Sequence, residues 1–174
     1  MKALYLSGNG ENLTYVYGEE QRARIKALLG EEPYETTQLP EDCSDVEMIF
    51  STWGMPALTK EEIAGKLPKL RHVFYAAGSV QYFARPFIES GIHVYSAWMA
   101  NAVPVTQFAF AQILLACKGY FLVQAACKTD RQQAHALFKN YPGIYDVKIG
   151  ILGCGAIGSQ VCEMLVREGL ETLV

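Results

Sequence analysis

Three glycines near the carboxyl end of the sequence have the spacing of a phosphate-binding turn. Gly153, Gly155 and Gly158 form a G-x-G-x-x-G pattern between an apolar strand pattern at 146–152 and a helix pattern at 160–168. In such a turn the first glycine permits the tight bend and the second lets the backbone approach a pyrophosphate. The third lets the helix pack close to the strand. The following helix N-terminus offers free N–H groups to phosphates. This context favours dinucleotide binding, and the alternative is a structural turn that binds nothing.

The glycine turn predicts a nicotinamide dinucleotide but does not choose between NAD and NADP. The acidic residue that selects the ribose is expected about 20 residues into the motif. We expect that position just past Val174, the last residue of this sequence. The predicted cofactor-binding residues of the turn are Gly153, Cys154, Gly155, Ala156, Ile157 and Gly158.

Elements that could position a ligand precede this turn. Strand-like and helix-like patterns alternate over the first hundred residues, which is typical of a doubly wound parallel sheet with helices on both faces. Thr59 and Glu62 have the spacing of a capping box and predict a helix start. The loops at 51–56 and 76–80 follow strands and would line the ligand crevice. Strands are predicted at 2–7, 34–39, 46–52, 72–77 and 92–97, with helices at 19–29, 60–67 and 85–90.

The organisation changes near Asn101, where a second domain is predicted to begin. Pro104 fits the first turn of a helix, and the long apolar pattern Val105–Cys127 predicts a helix buried between layers. A polar helix at 130–139 follows, and then the turn Asn140-Tyr141-Pro142-Gly143. We therefore assign residues 1–100 to one domain. The second, 101–174, holds this helix and the start of a dinucleotide-binding domain.

Composition excludes several classes of protein. The net charge is −3 and no basic stripe is present, so a nucleic-acid partner is not expected. The most apolar stretch, 108–123, is interrupted by polar residues and glycine and falls short of a membrane span. The five cysteines include no C-x-x-C pair, which argues against a disulfide framework or a metal site. We expect a soluble cytoplasmic protein whose cysteines are mostly buried.

The order of these motifs resembles the D-isomer-specific 2-hydroxyacid dehydrogenases. The resemblance rests on 76–80, 91–94, Asn101, the long helix after it and 147–158. It implies a flavodoxin-like α/β domain followed by a truncated Rossmann βαβ unit. It also implies hydride transfer between a nicotinamide cofactor and the C2 carbon of a 2-hydroxy or 2-keto acid.

The same resemblance implies a substrate site. Ala77, Gly78 and Ser79 match the loop whose backbone N–H groups hold the substrate carboxylate, which is sound chemistry because a glycine turn forms an anion nest. The alternative is an ordinary strand-to-helix turn. Asn101 and Thr106 match positions beside the cofactor.

Two positions depart from the family pattern. The family has Asp near 80–81 and Glu at the position of Gln107, and neither is acidic here. Trp53 with Met55 is a candidate apolar wall for the substrate side chain. The alternative is that both pack in the core.

No catalytic residue is assigned. In the family the catalytic Arg, carboxylate and His lie in the second half of the chain, and none of His72, His93 or His135 matches them. We therefore expect this chain alone to be inactive. We expect the truncated βαβ unit, which would be exposed, to pack against a second copy and form a homodimer, or to be partly disordered. A non-catalytic nucleotide-binding module and a dimerisation fragment built on the long helix remain as alternatives.

Overall fold

The computed structural model describes residues 1–141 and 143–174. Contacts divide the chain into two compact units, Met1–Asn101 and Ala102–Val174. The predicted turn at 140–143 includes Pro142, which lies outside the described residues.

The first unit is built on a parallel sheet of five strands in the order β2-β1-β3-β4-β5. This order defines the flavodoxin-like doubly wound fold, with its switch point between β1 and β3. The α/β fold class expected from the sequence is therefore confirmed. The strands are β1 Lys2–Leu6, β2 Tyr34–Thr36, β3 Val46–Ser51, β4 His72–Tyr75 and β5 His93–Ser96.

Strand β2 is shorter than the predicted 34–39. The Thr36 hydroxyl donates to the carbonyl of Gln38 at 2.6 Å and accepts from its N–H at 3.3 Å. Such local side-chain bonds compete with a sheet ladder, so the strand ends there.

One of the four helices in this unit is not predicted by the sequence. The glycines around Asn9 indicate only a turn, whereas Asn9 caps a helix by accepting a hydrogen bond from the N–H of Glu11 at 3.0 Å. The predicted capping box is present, with Thr59 and Glu62 bonded in both directions. The helices are α1 Gly10–Val16, α2 Glu19–Leu29, α3 Lys60–Lys66 and α4 Ala84–Glu89.

The two faces of the sheet carry different cores. The larger core includes Ile49, Val73 and Phe87 and extends over α3 and α4. On the other face Tyr5, Leu13 and Tyr17 form a smaller core over β1. The larger core anchors the loops that follow β3 and β4, because Met55 and Ala77 belong to it.

The long apolar helix differs from its prediction in three respects. Helix α5 spans Trp98–Cys117, so Pro104 lies inside it and not in its first turn. It ends before Gly119, whose left-handed φ of 66° starts a separate helix, α6, at Tyr120–Cys127. The sequence predicts that the helix is buried, but only Ala102 and Thr106 of α5 are buried. The apolar surface runs around the helix, whereas only Ala109, Phe110, Ile113 and Leu114 pack on the core of the second unit.

Length and apolar composition alone would allow α5 to cross a membrane, and among the described helices it is the one that meets this test.

The rest of the second unit contains one parallel strand pair, β6-β7. Strand β6 starts later than predicted because Asp146 has a positive φ of 58°. Helix α8 begins earlier than predicted, directly at the glycine turn. The elements are α7 Arg131–Phe138, β6 Lys148–Gly150, α8 Ala156–Arg167 and β7 Glu171–Leu173.

The expectation that the cysteines are mostly buried is wrong. Cys43 alone is buried, and Cys127 and Cys154 are exposed. Cys154 is exposed because it belongs to the glycine turn, which projects beyond the strand pair.

Candidate functional site

The glycine turn of the second unit has the geometry that its spacing predicts. Gly153 has a φ of 95°, in the left-handed region that favours glycine. A Cβ on Gly158 would lie 2.0 Å from the carbonyl oxygen of Gly153, so only glycine allows the helix this close to the turn. A Cβ on Gly155 would meet nothing within 4 Å, which leaves open space beside its backbone.

The N-terminus of α8 presents free donors at this turn. Its N-cap is Gly155, which has no side chain to cap the helix. The first helical bond is donated by the N–H of Ser159 to the carbonyl of Gly155 at 3.0 Å. Within residues 1–141 and 143–174, the N–H groups of Ala156, Ile157 and Gly158 have no hydrogen-bond acceptor. Three free N–H groups and the positive end of a helix dipole are suited to an anion.

Two predicted cofactor residues have different surroundings. Cys154 is exposed in the turn. Thr106 is buried on α5, one turn before residues that pack on α8, and its hydroxyl has no partner among the described residues. Its place beside the cofactor stays a prediction.

The loop after β4 forms a second set of free donors, in the first unit. Ala76 is still tied to the sheet, because its N–H donates to the carbonyl of Ser51 at 2.8 Å. The N–H groups of Gly78, Ser79 and Val80 have no acceptor in the described part of the chain. Ala77, between them and the strand, is fully buried. The loop thus combines a fixed base with three consecutive free N–H groups, as an anion nest requires.

Two side chains define the back of this loop. The Ser96 hydroxyl shares its single proton between two carbonyl oxygens, that of Ala77 at 3.0 Å and that of Gly78 at 2.5 Å. The amide of Asn101 lies so near Gly78 that a Cβ there would be 3.2 Å from Nδ2. The sequence singles out Asn101 through the resemblance, but nothing in it indicates the role of Ser96.

Trp53 lies in the loop after the neighbouring strand, β3, and is 44 % exposed. Its carbonyl accepts hydrogen bonds from the Ser7 hydroxyl at 2.8 Å and the Asn12 amide at 3.0 Å. The backbone is therefore fixed while the indole stays accessible. Met55, in contrast, is buried in the core. The apolar-wall interpretation thus remains open for Trp53 alone.

Tyr82 links the two loops, and the sequence gives no sign of it. Its hydroxyl donates to the carbonyl of Met55 at 3.1 Å. Partial burial is the main reason that the pKa of Tyr82 is raised to about 12, and the neighbouring Tyr75 adds to it. Tyr82 therefore stays protonated and keeps this bond at neutral pH.

The described residues contain no group of three or more His, Cys, Asp or Glu side chains that could hold a metal ion. His72 and His93 begin β4 and β5, at the opposite end of the sheet from the Gly78 loop. They cannot serve that loop as an acid or base.

No protein-family model and no curated protein matches this chain. Solved structures do match it. A D-2-hydroxyisocaproate dehydrogenase matches with a TM-score of 0.69 at 14% identity, over 99% of this chain and 52% of its own. The D-lactate dehydrogenase from Aquifex aeolicus, complexed with NAD and lactic acid, matches with a TM-score of 0.66 at 20% identity. The match covers 98% of this chain and 50% of the dehydrogenase. An acyclic imino acid reductase in complex with NADPH and D-Arg matches with a TM-score of 0.64 at 17% identity. The match covers 100% of this chain and 60% of the reductase.

These matches confirm, at the level of the fold, the resemblance to D-2-hydroxyacid dehydrogenases. The chain spans about half the length of the solved dehydrogenases it matches.

Proposed function

We propose that this chain is the cofactor-anchoring and substrate-anchoring half of an NAD(P)-dependent oxidoreductase acting on a D-2-hydroxy acid or its 2-keto acid. One observation carries the proposal: each unit presents three free backbone N–H groups at a glycine turn. The turn at Gly155 would hold the pyrophosphate, and the loop at Gly78 would hold the carboxylate.

The comparisons support this proposal through their ligands. The Aquifex aeolicus enzyme holds NAD and lactic acid, and the imino acid reductase holds NADPH. The cofactor is therefore NAD or NADP. When bound, it would supply or accept the hydride.

The residues of this chain would bind and orient the ligands. The N–H groups of Ala156, Ile157 and Gly158 would neutralise the pyrophosphate charge, and Cys154 would line its outer side. Those of Gly78 and Ser79 would fix the carboxylate and thereby the C2 carbon. Trp53, exposed in the loop after the neighbouring strand β3, would contact the substrate side chain.

We further propose that the chain by itself binds the cofactor but does not catalyse hydride transfer. Hydride transfer needs a group that exchanges a proton with the substrate hydroxyl. The Gly78 loop, 76–80, has no titratable side chain of its own, and the hydroxyl of the nearby Tyr82 is engaged with the carbonyl of Met55. Absence of 2-keto acid-dependent NADH oxidation, together with measurable NADH binding, is the expected result.

The test is calorimetric titration of the purified chain with NADH and NADPH. Gly155→Ala should weaken binding about tenfold or more, because its methyl group fills the space that a pyrophosphate needs. It should leave folding intact, since that methyl meets no protein atom within 4 Å. Gly65→Ala, equally free of contacts but on α3, is the matched control. Equal affinity in all three proteins would reject the cofactor site. Failure of the wild type to bind would leave the dimerisation fragment as the better account.

We also propose that the protein is a homodimer. We expect it to be soluble and cytoplasmic, with no nucleic-acid or membrane partner. The second unit exposes large apolar side chains, among them Phe108, Leu122 and Val166, and removing apolar surface from water favours association. Light scattering coupled to size-exclusion chromatography should give twice the chain mass, and a monomer at micromolar concentration would contradict this assignment.

A further inference from the structure

A cleft at the amino ends of β4 and β5 concentrates positive charge. Its volume is about 370 Å³, and Lys69, Arg71, His72 and His93 line it around Leu70. It lies at the opposite end of the sheet from the Gly78 loop. The proposed function therefore makes no use of it.

Strand pairing brings these side chains together. His72 and His93 are direct partners in the parallel register of β4 and β5. Their rings stack with centroids 5.6 Å apart and planes 18° apart. The N–H of His93 donates to the carbonyl of Arg71, and the N–H of Arg71 donates to that of Glu47, each at 2.9 Å. The backbone beneath the cleft is therefore fixed.

The cations of this cleft differ from others in the same unit. Lys2, Arg22, Lys26 and Lys60 each form an ion pair with a carboxylate. Lys69 and Arg71 form none with any described residue, and no carboxylate lines the cleft. The cleft is cationic although the chain has a net charge of −3.

One polar atom on the cleft wall lacks a partner. Nδ1 of His72 is buried and has no hydrogen-bond partner within the described part of the chain. A buried polar atom without a partner is costly and rare. The imidazole of His72 therefore has hydrogen-bonding capacity that the described protein atoms do not use.

We propose that this cleft binds a small ligand of the phosphate class. A guanidinium binds two phosphate oxygens in parallel, and an ammonium group adds a point charge. Imidazole N–H groups add further donors. Pockets for small molecules begin at about 300 Å³, so the cleft fits inorganic phosphate, pyrophosphate or a small phosphorylated metabolite.

The test is an NMR titration of the full chain with inorganic phosphate and with pyrophosphate, at constant ionic strength. Imidazole signals of His72 and His93 should shift and saturate. His135, on α7 in the second unit, should not move and is an internal control. Saturation with sodium chloride alone, or linear shifts of all three histidines, would overturn the proposal.

Substitutions inside and outside the cleft distinguish a specific binding site from a general effect of positive charge. The double variant Lys69→Gln/Arg71→Gln should weaken pyrophosphate binding about tenfold or more, since it removes both charge-assisted donors. Lys66→Gln/Arg85→Gln removes two cations that lie outside the cleft and should bind as the wild type does. Equal weakening in both double variants would show a diffuse charge effect and reject the site. Arg71→Lys keeps the charge but loses the two-point contact, and should give an intermediate affinity.

The cleft and the proposed cofactor site are tested independently. Lys69→Gln/Arg71→Gln should keep wild-type affinity for NADH, and Gly155→Ala should keep wild-type affinity for pyrophosphate at the histidines. Loss of both affinities in either variant would indicate unfolding, which circular dichroism detects. If the double variant unfolds, the test rests on Arg71→Lys alone. A pyrophosphate affinity of Arg71→Lys equal to that of the wild type would reject the site.

Discussion

The hydroxyl of Ser96, at the end of β5, is hydrogen-bonded to the carbonyl oxygens of both Ala77 and Gly78, at 3.0 and 2.5 Å. One side chain thereby holds two consecutive peptide carbonyls of the loop after β4. The N–H groups that follow, on Gly78 and Ser79, are left without protein acceptors in the described chain. The serine positions the nest without belonging to it.

Ser96→Ala should therefore weaken carboxylate binding without affecting the cofactor turn. A hydrogen bond of this kind contributes about 1 kcal/mol to the order of the loop, so the Kd should rise by at most roughly fivefold. The measurement is the Kd of oxamate, a carboxylate analogue of a 2-keto acid, in the presence of NADH. Ser90→Ala, which removes an exposed serine bond at the end of α4, is the control. If both variants bind oxamate equally well, Ser96 has no positioning role.

Gly158→Ala should destabilise the second unit. Its Cβ would lie 2.0 Å from the carbonyl oxygen of Gly153, and backbone atoms cannot rotate away as a side chain can. Overpacking of this kind costs about 1–3 kcal/mol. Chemical denaturation should show a lower free energy of unfolding for Gly158→Ala and an unchanged one for Gly155→Ala. The opposite ranking would contradict the geometry of the turn.

Tyr82→Phe should reduce the loss of stability at alkaline pH. The pKa of Tyr82 is about 12 in the folded chain, above its ordinary value of 10.0. A raised folded pKa means that the unfolded chain loses this proton first. The contribution to stability is therefore complete below pH 10 and is lost as pH rises towards 12.

The measurement is the thermal midpoint of the wild type and Tyr82→Phe across that pH range. The wild-type midpoint should fall more steeply. Tyr15→Phe, which removes the hydroxyl of an exposed tyrosine, should follow the wild type. Parallel curves for wild type and Tyr82→Phe would show that folding does not raise the pKa of Tyr82.

The sequence predicts the parts of the fold that local chemistry determines. The Thr59 capping box and the glycine spacing at 153–158 are local signals, and both are present as predicted. Helix α1 cannot be predicted from the sequence because its signal, a single Asn cap between glycines, is also typical of a turn.

Other features depend on contacts that no local pattern reveals. The Ser96 bonds join residues 18 and 19 positions apart in the sequence, and the Tyr82 bond spans 27. The basic cleft arises from the register of two strands. The exposure of α5 could not be predicted either, because an all-round apolar helix looks the same whether or not other elements cover it.

Backbone amide NMR of the isotope-labelled chain during an NADH titration tests directly whether the glycine turn at 153–158 holds the cofactor. We expect saturable shifts of the N–H signals of Ala156, Ile157 and Gly158, reproduced in part by pyrophosphate alone. Those of Gly78 and Ser79 should move only when oxamate is added. Saturable NADH binding that leaves the signals of 156–158 unmoved would show that the glycine turn does not hold the cofactor.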